Sequence, residues 1–214
     1  MVCHVASRGN RKHVVFVDDR DRLNFMDVLG TVVERMDWHV LAYCLMDNHY
    51  HLLVELSDGN LADGMHLLNG TYARWFNERH GVVGHLFEKR YWSDTVSGED
   101  HLLSVVAYIA RNPVRAGVSQ TVFEWPWSSA AASVGDAPAP PALACRRLWE
   151  LVAESPDAAR MQLTQLLDAP IPGEEVREAV RRQLLSAHRS GGLTIRELSD
   201  ALRVSAGTVL KLMR

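Results

Sequence analysis

The nineteen residues from Trp38 to Leu56, WHVLAYCLMDNHYHLLVEL, constrain the fold more than any other stretch of this chain. They are rich in β-branched and aromatic residues and are interrupted at Met46-Asp47-Asn48, which predicts two strands joined by a short connection. Side chains alternate faces along a strand, so His49 and His51 point one way and Tyr50 the other. Two neutral imidazoles side by side on a rigid sheet form a bidentate seat for a divalent metal. Downstream, Glu99 to Asn112 has helical periodicity, and Tyr108 and Asn112 are neighbours at i and i+4 on one helix face. A metal seat with a helix-borne phenol suggests phosphodiester chemistry.

Around this stretch the chain reads strand, helix, strand, strand, helix, strand, helix. Val2 to Phe16 is extended about a polar Arg-Gly-Asn turn, in the manner of a hairpin. Asp19 to Met36 and Asn60 to His80 are amphipathic helices, and Gly81 to Val96 holds a loop and a fourth strand. Two helices against a small antiparallel sheet is an α+β, ferredoxin-like (split βαβ) layout with helices on one face. The expected divisions are a catalytic part at 1–128, an Ala/Pro-rich linker at 129–145 and a helical tail at 146–214. Within the tail, 192–214 is similar to a helix-turn-helix, with Arg203 where the turn usually has glycine and Ser199 where a small apolar residue is usual. Contact with DNA and a merely structural helical cap both remain open for it.

Composition narrows the class. The 214 residues are 47% hydrophobic and 23% charged, ordinary for a water-soluble globular chain, and no apolar run approaches the ~20 residues that span a bilayer. Met1-Val2-Cys3-His4 leads straight into strand-like sequence without the apolar core of a signal peptide. Cys3, Cys44 and Cys145 are odd in number and widely spaced, which argues against a disulfide framework or a cysteine zinc site and suits a reducing cytoplasm. The net charge of −3 is unusual for a protein that handles nucleic acid. Up to Ser128 there are 12 Lys and Arg against 16 Asp and Glu, yet Arg8, Arg11 and Lys12 cluster, as do Lys89 and Arg90, and Arg111 and Arg115 follow.

Further motifs occur in a fixed order: Ser7-Arg8-Gly9-Asn10, Ala42-Tyr43-Cys44-Leu45-Met46 with Asn48-His49-Tyr50-His51-Leu52-Leu53, Gly84-His85-Leu86-Phe87 with Arg90-Tyr91, Tyr108-Ile109 with Asn112-Pro113-Val114-Arg115-Ala116-Gly117, and Trp125-Pro126-Trp127-Ser128-Ser129. Together they resemble the single-tyrosine HUH transposases, and within them most closely the REP-associated tyrosine transposases. The resemblance implies the ferredoxin-like fold and a single-stranded DNA endonuclease and strand transferase acting at DNA hairpins in REP-like repeats. It further implies that Tyr108 is the nucleophile, forming a 5′-phosphotyrosine link, and that His49, His51 and Asn112 hold Mg²⁺ or Mn²⁺. An amide oxygen is a hard donor suited to such ions. Arg8, Asn10, His85, Arg90 and Arg115 are candidates for DNA contact. The remaining histidines, His4 among them, read as surface or structural, and Phe123, Trp125 and Trp127 read as a lid on the core or as base-stacking groups. The alternative is a non-catalytic, hairpin-binding regulatory protein that retains the fold. Monomer and helix-exchanged homodimer are both compatible with the sequence.

Overall fold

The computed structural model describes residues 1–57 and 59–169. Most of the expected helical tail, including the segment at 192–214, lies outside the described residues. Residues 1–168 form one compact unit. Its strands are β1 (Val2–Arg8), β2 (Trp38–Met46), β3 (His49–Leu56) and β4 (Trp92–Val96). Its helices are α1 (Asp19–Met36), α2 (Leu61–His80), α3 (Glu99–Ala110), α4 (Asn112–Arg115), α5 (Ala130–Val134), α6 (Cys145–Val152) and α7 (Pro156–Asp168). The strands run in the order β2-β3-β1-β4, every pairing antiparallel, with α1 and α2 as the crossovers. This is the split βαβ arrangement.

Local sequence explains most boundaries. The Asp18 carboxylate caps α1 by accepting the Asp21 N–H at 3.2 Å, and Asp37 ends the helix in the left-handed region at φ 52°. Trp38 is buried against α2 at Gly64, where a β-carbon would lie 2.1 Å from the indole. The indole N–H donates to Asn60 Oδ1 at 2.8 Å, and Asn60 Nδ2 donates to the Met36 carbonyl at 2.9 Å. One triad thus joins the end of α1, the start of β2 and the start of α2.

Both faces of the sheet carry helices. Cys3, Val5, Tyr50, Leu52 and Val54 face α1 and α2 in one apolar cluster. Leu41, Ala42, Cys44 and Leu53 face α3, α6 and α7 in a second. A β-bulge between Val40 and Ala42 lets β2 serve both clusters, because it places two successive residues, Leu41 and Ala42, on the same side.

Two expectations are corrected. Val2 to Phe16 is not a hairpin: β1 pairs with β3 on one edge and β4 on the other, so no edge is left for a local partner. After Arg8 the chain instead makes a tight 3-10 turn at Asn10–Lys12, and the N–H groups of Val15 and Phe16 both donate to the Asp47 carbonyl. The Ala/Pro-rich segment is not a linker. Leu45 donates to the Trp127 carbonyl at 2.8 Å, Ser128 bridges Cys44, and Leu143 bridges Val40, with Ala144 donating to Val40 at 2.8 Å. The run covers the outer edge of β2, which would otherwise expose unpaired backbone groups. Small side chains let it approach that closely, and Ala130, Ala132, Ala142 and Leu143 are buried.

The tryptophan motif closes onto the core. Trp125 and Trp127 flank the buried Arg22 guanidinium at 5.6 and 5.7 Å, and their indoles donate to the Leu45 carbonyl and to Asp19. Among the described residues no helix is long and apolar enough to cross a membrane.

Gly64→Ala tests the Trp38 contact. Alanine favours helix over glycine, but here its methyl group collides with the indole, and overpacking of this kind costs about 1–3 kcal/mol. Urea unfolding should show the variant less stable than wild type. Equal or greater stability would mean that Trp38 is not held against α2.

Candidate functional site

β3 fixes the histidines. Tyr50 turns into the apolar cluster, its ring 4.7 Å from Phe25 and 5.9 Å from Phe87, which forces His49 and His51 onto the opposite face. β1 lies beside them in register, with Ala6 opposite His51 and Arg8 opposite His49. α3 packs on the same face through Leu102, Val105, Val106 and Ile109, and it presents Tyr108 at 40% exposure. The Tyr108 ring stands edge-on to His51 at 5.4 Å, and the Arg115 guanidinium lies 5.1 Å over it. Tyr108 therefore meets the histidines of its own chain.

Asn112 follows from a break in the helix. Pro113 has no N–H, so the Ile109 carbonyl loses the donor that a continuous helix would supply. The Asn112 amide turns back, its Nδ2 donating to Tyr108 O at 2.9 Å and to Ile109 O at 3.4 Å. Its Oδ1 is thereby left for the cleft, which His49 also lines. One amide thus terminates the helix and reaches the site.

The hydrogen-bond partners of the two rings set which nitrogen of each remains available. His49 Nδ1 lies 2.7 Å from Asn48 Oδ1, which can only accept, so the proton sits on Nδ1 and Nε2 keeps its lone pair. His51 Nδ1 is engaged at 3.0 Å by His4 Nε2, so Nε2 is again the remaining atom. Burial lowers the pKa of all three rings. Arg8 adds to this at His49, which also faces raising interactions from Asn112 and Asp47. His51 falls to about 3 by burial and then by His49, His4 and Arg8, while His4 falls to about 4 by burial, opposed by Asp94. Neutral imidazoles are the form that can ligate. Among the described residues no three His, Cys, Asp or Glu side chains are grouped to hold a metal.

The five candidates for DNA contact divide. Arg8 and Arg115 line a cleft of about 510 Å³ with His49, His51, Tyr108 and Asn112. Asn10, His85 and Arg90 line a neighbouring groove of about 1150 Å³ between α2 and the loop before β4, and Glu88, Lys89 and Tyr91 border both. That loop is tied to the end of β1 by Asn10 N–H to Leu86 O and Glu88 N–H to Arg8 O, at 2.8 and 2.9 Å. Asn69, within the groove, donates to Ser7 Oγ and Arg90 O.

Sequence reasoning missed His4 and Trp92. His4 shares the period-two face of Ala6 and Arg8, a signal legible only once β1 is known to neighbour β3. Trp92, on β4 and 54% exposed, stands edge-on to His4 at 5.1 Å and lines clefts on both sides of Tyr108. Arg8, Arg115 and Lys89 border the central cleft against the single acid Glu88, so the site is locally basic in an acidic chain.

Comparison with known proteins places this geometry. Residues 1–112 match the family described as "Transposase IS200 like". A Haemophilus influenzae protein with the provisional name REP-associated tyrosine transposase is 26% identical over 116 residues, covering 49% of this chain and 66% of that protein. The chain thus spans just under two thirds of that relative's length. The structure of a REP-associated tyrosine transposase bound to a REP hairpin superposes with a TM-score of 0.54 at 18% identity, covering 67% of this chain and 84% of that one. At that identity the likeness shows the fold.

The buried imidazoles predict a pH dependence of the metal-free chain. In the unfolded state these histidines titrate near 6.5, but folded His4 and His51 stay neutral down to about 4 and about 3. The unfolded state therefore binds more protons below pH 6.5, and stability, full above that value, falls as pH drops towards 4. Each ring contributes up to about 1.4 kcal/mol per pH unit. Urea unfolding between pH 7.5 and 5 should show the fall, and His51→Asn should reduce its slope; an unchanged slope would place the titrating group elsewhere.

Proposed function

Since the chain belongs to the IS200-like transposase family, we propose that it cleaves and rejoins single-stranded DNA beside hairpins, with Tyr108 as the nucleophile. The observation that carries this reading is the placement of Tyr108 beside His51, with His49, Asn112, Arg8 and Arg115 in the same cleft. The Tyr108 oxygen attacks phosphorus, the bond to the 3′ oxygen breaks, and a 5′-phosphotyrosine link forms. The phenol gives up its proton and the departing 3′ oxygen gains one, leaving a free hydroxyl. Attack by a 3′ hydroxyl on the tyrosyl link reverses these changes and joins strands, so no nucleotide cofactor is consumed.

The free phenol has a pKa of ~10, so its attack needs assistance. His49 and His51 through Nε2, and Asn112 through Oδ1, would hold Mg²⁺ or Mn²⁺, which when bound supplies Lewis-acid polarisation of a phosphate oxygen. Arg8 and Arg115 offer positive charge for the phosphate backbone, and Arg115 also lies over the Tyr108 ring. The neighbouring groove, with Asn10, His85 and Arg90, is placed to take DNA flanking the scissile phosphate. Hairpins in REP-like repeats are the proposed substrate because the relative's name and the solved complex point to them. The site is complete within one chain, which suits action as a monomer.

The acidic balance keeps a second reading in view, a hairpin-binding regulator without cleavage. Denaturing gels of a labelled single-stranded hairpin oligonucleotide with Mn²⁺ separate the two. Wild type should give a covalent protein–DNA band, and Tyr108→Phe should lose it, with cleavage down by at least about a thousandfold and binding retained. His49→Ala should lose cleavage with binding largely kept. Tight binding with no cleavage by wild type would favour the regulator.

A further inference from the structure

His4 enters none of the roles assigned above, yet it holds the ring of His51. It lies in β1 two residues before Ala6, the register partner of His51, and is 6% exposed. Its Nε2 is 3.0 Å from His51 Nδ1. Two neutral imidazoles in such contact share one N–H, so one ring donates and the other accepts. If His4 donated, His51 would carry its own proton on Nε2 and have no lone pair to offer the cleft. If His51 donates, its Nε2 is bare.

The strand order favours the second arrangement. β1 lies between β3 and β4, so His51 flanks His4 on one side and Asp94, its register partner in β4, flanks it on the other. The strand geometry thus puts the Asp94 carboxylate on the side of His4 away from His51, and a His4 proton held on Nδ1 leaves Nε2 as an acceptor. The first histidine obeys the same rule, since Asn48 Oδ1 accepts from His49 Nδ1.

Resting on the metal-seat reading above, we infer that His4 is a positioning residue that accepts the His51 Nδ1–H and so fixes the tautomer that turns a bare Nε2 into the cleft. Orienting partners of this kind typically contribute 10–100-fold to metal affinity.

The test uses the full chain, metal-free and with ¹⁵N-labelled histidine. A long-range ¹H–¹⁵N spectrum at pH 7.5 should show His51 protonated on Nδ1, its signals assigned through His51→Asn. Calorimetry with Mn²⁺ alone should show binding weakened about 10–100-fold by His4→Phe. His4→Gln, whose amide oxygen can still accept, should recover most of that loss. Melting temperatures recorded alongside separate affinity from folding. A wild-type spectrum with the proton on His51 Nε2 overturns the inference, with no variant needed. So does a folded His4→Phe protein that binds Mn²⁺ as tightly as wild type, or a His4→Gln protein that recovers nothing. Wild type that binds no Mn²⁺ at all removes the metal-seat reading itself, a distinguishable result.

Discussion

The antiparallel pairing of β1 with β3 is the constraint from which the site follows. Its register sets Ala6 against His51 and Arg8 against His49, and it brings the ring of His4 to His51. A slip of one residue would turn every side chain of a strand to the other face. Cys3 and Val5 on β1, with Tyr50, Leu52 and Val54 on β3, forbid that slip because each must enter the cluster under α1 and α2. The apolar residues on one face thereby hold the polar residues on the other in register. The small Ala6 leaves space opposite His51 for the phenol and the cleft.

Against this floor α3 supplies the second component. Its buried face is continuous with α6 and α7, so Tyr108 is aimed by a helix anchored on two sides. The Asn112-Pro113 step ends the helix where a polar group is needed. The proline orphans a carbonyl, the asparagine amide answers it, and the amide oxygen is left in the cleft that His49 also lines. Helix termination and donor placement are one structural event.

Electrostatics resolve the apparent conflict between an acidic chain and a phosphate-handling site. Several acids are engaged in ion pairs outside the cleft. Asp18 and Asp21 pair with Arg79, Asp47 with Arg22, and Glu55 with Arg147. The Arg79 guanidinium holds the Asp18 carboxyl well below the usual carboxylate range. These pairs fasten α1 to α2, to the turn before β3, and β3 to α6. Because the ions are compensated where they stand, net charge is a poor guide to the potential at the cleft.

The sequence by itself determined what local rules govern. Period-two alternation gave His49 and His51 a common face, helical spacing joined Tyr108 to Asn112, and the order of apolar segments set the α+β, split βαβ class. Arg8 and Arg115 were identifiable as candidate DNA contacts; that they line one cleft with Tyr108 is a fact of the fold. Tertiary structure alone decided matters of register and coverage. It placed His4 beside His51, a pairing across 47 residues that no local signal encodes. It also set both ends of the Ala/Pro-rich run, at Ser129 and at Leu143 to Ala144, against the edge of β2, although its composition suggested a linker, because an unpaired strand edge must be covered. Local periodicity fixes which face a side chain occupies. Only the folded sheet determines which other side chain it meets there.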